Sequence, residues 1–164
     1  MSEKEHTRTA IDSRSGFHDA LRAALAEAAR VGCREIVLVD DDFADWPLNE
    51  RTVVEHLTQW AAAHRRFTVV ARHFDEVVRR HARWVAWRRT WAHMVHCRTN
   101  NELEAGDMPC LLLAPGLTSV RLFERTLYRG VASNEPGDAV QWREIADAVL
   151  QRSAEAFPAT TLGL

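Results

Sequence analysis

The chain of 164 residues, 46% apolar and 27% charged, has the length and composition of one soluble globular domain with a substantial core. Its formal charge of −2 excludes a globally basic nucleic-acid or membrane binder. Twenty of the 21 basic residues are Arg, and the single lysine is Lys4, which removes any mechanism built on a phosphate-loop, Schiff-base or receiver-domain lysine.

Residues 1–14 are polar and read as a flexible leader, with residues 15–164 forming a single α/β domain. Phe17, Leu21, Leu25 and Ala28 form a helical stripe between a Ser15 cap and a Gly32 stop. The continuous apolar run Glu35–Asp40 predicts a buried parallel strand, and Val53, Val54, Leu57, Trp60 and Ala61 predict a second helix. Phe67–Ala71 is a further strand. One long helix is expected from Phe74 to about Ala92, then a brief strand over 94–98. Strands are expected over 109–114 and 120–128, and a last helix over 138–154 with Val140, Ile145, Ala148 and Val149 inward. The alternation argues for an α/β domain around a mixed, largely parallel sheet with helices on both faces.

No apolar run approaches the length of a membrane span and no signal-peptide pattern opens the sequence, so a cytoplasmic location without membrane contact is expected. Cys33, Cys97 and Cys110 are odd in number and unpaired in spacing, which suits reduced thiols.

Three constellations can carry chemistry. Asp40, Asp41, Asp42 and Asp45 sit at the C-terminal end of a predicted strand, where α/β sheets bind ligands, and clustered carboxylates suit a divalent cation. The bland alternative is an acidic loop that caps the next helix. Residues 64–98 carry a net charge of +7 against −9 for the rest, with Arg79, Arg80, Arg83 and Arg88 interleaved with Trp84, Trp87 and Trp91. That segment reads as a phosphate- or nucleic-acid-binding face, as an oligomer contact, or simply as a helix with its tryptophans in the core. His93, His96 and Cys97 are a weak zinc signal, because a helix end and a strand need not aim them at one point.

The element order, with the stretches Phe17–Phe43, Ala61–Val70 and Asp107–Gly116, resembles one half of the phospholipase D-like fold. Gly130–Asn134 resembles the small-residue segment that follows the family's His-x-Lys-x4-Asp motif. The resemblance implies that Asp107 stands in place of the His, Pro109 of the Lys and Ala114 of the Asp, with Asn134 surviving alone. No His-x-Lys occurs anywhere in the chain, so neither a phosphoryl-accepting His nor a phosphate-holding Lys is available. The leading expectation is therefore a degenerate, non-catalytic domain of binding or assembly, without a cofactor. Single-half members of the family pair across a two-fold axis, which implies a homodimer. The chain also resembles uncharacterised degenerate bacterial proteins, some of them joined to acetyltransferase domains, which implies a possible partner of that type, whereas nucleic acid is disfavoured. The rivals are anion or nucleic-acid binding through 64–98 and a metal-dependent enzyme built on Asp40–Asp45.

Overall fold

The computed structural model describes residues 5–158; Lys4, the start of the expected leader and residues 159–164 lie outside the described residues. Eight strands form one sheet: β1 (Arg8–Ile11), β2 (Glu35–Val39), β3 (Arg66–Ala71), β4 (Val95–Thr99), β5 (Cys110–Leu113), β6 (Ser119–Glu124), β7 (Arg129–Ser133) and β8 (Ala154–Glu155). Their order across the sheet is β1-β7-β6-β5-β2-β3-β4-β8. The sheet is mixed, as expected, but it is largely antiparallel rather than largely parallel. Its parallel part is confined to β2-β3-β4, where helices make the crossovers, and the other five pairings are antiparallel. From β5 to β7 the strands follow one another without helices, and short connections between those neighbours demand antiparallel pairing.

Helices α1 (Arg14–Val31), α2 (Arg51–Trp60), α3 (Asp75–Arg80) and α4 (Ala82–Thr90) cover one face, and α5 (Pro136–Gln151) covers the other. The strands divide their side chains accordingly. Ile36 and Leu38 join the larger core with Phe17, Leu57, Trp60 and Trp84, while Val37 and Val39 join a smaller core with Leu111, Trp142 and Val149. Such strands, buried on both sides, read as uninterrupted apolar runs.

Several expectations are corrected. Residues 8–11 are not a loose leader: β1 pairs antiparallel with β7, and only Ile11 of its four residues is buried, so the segment carries no apolar signature. The helix cap is Ser13, whose side chain accepts from Gly16 N, and Gly32 closes α1 with φ 88. The single helix expected over 74–92 is broken at His81, which leaves helical geometry (φ −123, ψ 54) between α3 and α4. The strand expected over 120–128 is β6 plus the turn into β7. At Gly130 a Cβ would meet the Arg121 carbonyl oxygen at 2.0 Å, so only glycine permits this close approach of β7 to β6. In α5 the buried positions are Trp142, Ala146 and Val149, while Val140 is 62% exposed.

Candidate functional site

The Asp40 carboxylate marks the C-terminal end of β2, and its Oδ2 accepts from Phe43 N at 2.8 Å. Asp42 Oδ1 accepts from Ala44 N at 2.9 Å. These bonds fold the chain into a tight turn with Phe43 at φ 59, a left-handed conformation that an aromatic residue rarely adopts. Two further contacts hold it there. The Phe43 ring is fully buried edge-on to Trp46, and the His81 ring binds the Phe43 carbonyl through Nε2 at 2.7 Å. The break between α3 and α4 is what delivers His81 to that carbonyl.

Asp40 is only 5% exposed and faces Arg125 across 3.2 Å. Burial raises its pKa above the ordinary carboxylate value, and the Arg125 guanidinium opposes that rise. Arg125 also donates through Nη2 to the carbonyls of Met108 and Pro109, which fixes the guanidinium over the start of β5. Cys110 lies beside Asp40, and burial followed by the neighbouring carboxylate pushes its thiol well above the usual range. Opposite, the Tyr128 hydroxyl donates to Asp45 Oδ2, Arg14 contacts Asp45 Oδ1 at 2.8 Å, and Tyr128 itself sits at φ 53.

Phe17, Asp42, Trp46, Cys110, Arg125 and Tyr128 thus line a cleft of about 180 Å³ at the end of β2. The indole Nε1 of Trp46, a residue 4% exposed, has no hydrogen-bond partner among the described residues. Two non-glycine residues in left-handed geometry around one small cleft are a concentration of local strain of the kind found at ligand sites.

The acidic cluster is dispersed by its own chain. Asp40 turns to Arg125, Asp41 to Arg72 at 3.2 Å, Asp42 to the loop backbone and Asp45 to Arg14 and Tyr128. Among the described residues no three His, Cys, Asp or Glu side chains are arranged to hold a metal ion, so Asp40, Asp41, Asp42 and Asp45 do not form such a group. His93, His96 and Cys97 do not converge either: on β4, Cys97 is buried in the larger core and its neighbour His96 is half-exposed.

The Arg- and Trp-bearing segment is also redistributed. Trp84 and Trp87 are buried against Phe67, with ring centroids 6.4 and 5.1 Å away, so they offer no stacking face. Arg79 and Arg80 both pair with Glu76, Arg83 donates to the Asn49 carbonyl, Arg88 is buried and Trp91 is half-buried. What remains is a groove of about 570 Å³ between α2 and α4, lined by Val54, Thr58, Ala86, Trp87 and Trp91.

The four positions assigned from the resemblance are spread over the sheet. Asp107 is exposed in a 3-10 turn (Ala105–Asp107), Pro109 precedes β5, and Ala114 is buried beyond the far end of β5 with its N–H on Ser119 Oγ at 3.0 Å. Asn134 follows β7 and secures the edge strand, accepting from Thr7 N at 2.7 Å and donating to the Glu5 carbonyl at 3.0 Å. The residues that do meet, namely Arg125, Tyr128, Trp46 and His81 around Asp40, come from distant parts of the chain and carry no local motif.

No protein-family model matches the sequence, and no curated protein matches it. Solved structures share its architecture, among them three that each match over 93% of the chain. TrmBL2, an archaeal chromatin protein with a novel mode of DNA binding, superposes with a TM-score of 0.64 at 10% identity, and the match covers 54% of that protein. NucT from Helicobacter pylori matches over its whole length with a TM-score of 0.60 at 6% identity. Nuc from Salmonella typhimurium, a phospholipase D family member, matches over 99% of its length with a TM-score of 0.57 at 11% identity. The fold is phospholipase D-like. Identities this low establish the phospholipase D-like architecture and leave activity to be argued from the residues. Among the described residues no helix is long and apolar enough to cross a membrane.

Proposed function

We propose that this phospholipase D-like domain binds rather than hydrolyses, and that it works as a non-catalytic module associating with a second copy of itself. The observation that carries the reading is the internal commitment of the cleft at Asp40. Its one guanidinium, Arg125, is held by Asp40 and two backbone carbonyls, and the chain, whose single lysine is Lys4, has no His-x-Lys pair to hold and attack a phosphodiester. The α2–α4 groove supports self-association. Its floor is apolar, and exposed Arg51, Arg83 and Glu55 on its rim are self-complementary, since a two-fold axis sets each Glu55 against arginines of the second copy.

The test has two arms. Incubation with bis(p-nitrophenyl) phosphate, with and without millimolar Mg²⁺ or Mn²⁺, is expected to give hydrolysis no faster than buffer. Turnover that Arg125→Met abolishes would overturn the non-catalytic reading. Sedimentation equilibrium at low micromolar concentration is expected to give a dimer that Ala86→Arg, at an exposed groove position, converts to monomer. A wild-type monomer overturns the self-association.

A second reading, nucleic-acid binding, draws on the description of TrmBL2 and on the +7 charge of residues 64–98. The burial of Trp84 and Trp87 counts against it, because stacking would need their faces. Passage through heparin at low salt without retention is expected.

A further inference from the structure

At the edge of the sheet opposite β1, β4 is only partly covered. The short β8 pairs with Arg98 and Thr99, Ala156 N reaches the Cys97 carbonyl at 3.0 Å, and a cleft of about 400 Å³ opens between β4, the end of α4 and residues 155–158. Arg88 belongs to its lining and is 6% exposed. A guanidinium so deeply buried ordinarily faces a carboxylate. Here its acceptors are two neutral carbonyls, Phe157 O at 3.1 Å from Nη2 and Val95 O at 3.4 Å from Nη1, and the Cys97 thiol beside it is likewise uncharged, its pKa pushed up to about 11 by burial. Its Nε has no partner, and no acid pairs with it among the described residues. Phe157 is itself constrained: its φ is 46 and its ring lies 6.0 Å from the Arg88 guanidinium.

The surroundings repeat the pattern. Arg98 donates to the hydroxyl and carbonyl of Ser153, again without an acid. His96 lines the same cleft, and burial together with Arg66 and Arg88 holds its pKa below the ordinary imidazole value, so the ring is neutral at pH 7. The acid in the lining is Glu155, which is exposed.

We propose that this cleft is a binding site for a small organic carboxylate, whose negative charge the buried Arg88 guanidinium neutralises with Arg98 and His96 beside it. The charge balance selects a monoanion. Two arginines against Glu155 leave one net positive charge in the lining, and Glu155 repels a second negative charge. A planar carboxylate matches the guanidinium fork, and the Ala92, Val95 and Ala156 side chains suit a short hydrocarbon stem. The site lies at the β4–β8 edge of the sheet, away from the cleft at Asp40 beyond the end of the central strand β2, so it stands or falls independently of the non-catalytic reading.

The full chain titrated with sodium propionate, with ionic strength held constant by chloride, tests the proposal. The expected result is a saturable rise in Tm together with an upward shift of the His96 pKa, read from its ring proton signals, because a bound anion favours the imidazolium. Propanol and propylammonium should produce neither. Arg88→Met is expected to unfold at the same temperature as the wild type or higher, since it removes a buried charge without a carboxylate, and to lose the response to propionate. If Arg88→Met does not fold, Arg98→Met carries the test, with propionate affinity expected to fall about tenfold for one lost charged contact. A flat wild-type titration, an equal response to propanol, a response that survives Arg88→Met, wild-type affinity in Arg98→Met, or a response to inorganic phosphate alone overturns the proposal.

Discussion

His81 shows how one side chain can tie two elements to a loop. It is 4% exposed, its Nε2 binds the Phe43 carbonyl and its Nδ1 has no partner, so the neutral ring must carry its proton on Nε2 to donate to that oxygen. Burial is the main cause that depresses its pKa from the ordinary value of 6.5. The unfolded chain therefore binds this proton more readily than the folded one. The stability contributed is present above about pH 6.5 and is lost as pH falls through and below that value. Asp40, with its raised pKa, acts in the opposite sense, so the His81 contribution must be read by difference. Urea midpoints at pH 7.5 and 5.5 should fall more for the wild type than for His81→Gln, by up to about 1.4 kcal/mol per pH unit. Equal falls in both proteins would show that His81 remains neutral or titrates alike in both states. No motif announced this residue: in the sequence it is one histidine in an apparently continuous helix.

At the scale of elements, legibility followed burial on both sides. β2, β3 and β5 are continuous apolar runs because helices cover both faces of the sheet there, and they were readable directly. β1 and β7 were not, since one is a largely exposed edge and the other is written in small residues around Gly130. The buried face of α5 differs from the expected one for a related reason. Val140 is apolar but faces water, whereas Trp142, Ala146 and Val149, spaced by four and three residues, form the buried stripe. The two registers make opposite predictions. Trp142→Ala should cost about 3–5 kcal/mol by opening the smaller core, while Val140→Asp should change stability by no more than about 0.5 kcal/mol. Denaturant midpoints decide between them, and a large loss from Val140→Asp would restore the register first expected.

The whole molecule is closed by contacts between residues far apart in the chain, and these explain both what the sequence concealed and where the fold is vulnerable. The candidate cleft joins Asp40 from β2, His81 from between two helices, and Arg125 and Tyr128 from the β6–β7 turn, so only the completed sheet brings them together. The acidic run at 40–45 was visible as a sequence feature, but its partners were not, because every ion pair that disperses it spans a large separation along the chain. The same holds for β1. Arg8–Ile11 covers the outer edge of β7, Arg8 pairs with Asp138 at 3.0 Å at the start of α5, and Asn134 holds the backbone of Thr7. Removing residues 1–12 would leave the backbone donors and acceptors of β7 along that edge without partners, next to the apolar Val131. An exposed, unprotected edge of this kind pairs with other chains. Sedimentation velocity on the shortened chain should therefore show concentration-dependent species larger than any the intact chain forms, with a loss of soluble protein on warming that the intact chain does not share. If the shortened chain instead sediments like the intact one, β1 is not what protects this edge, and the turn at residues 125–128 or the start of α5 must shield it.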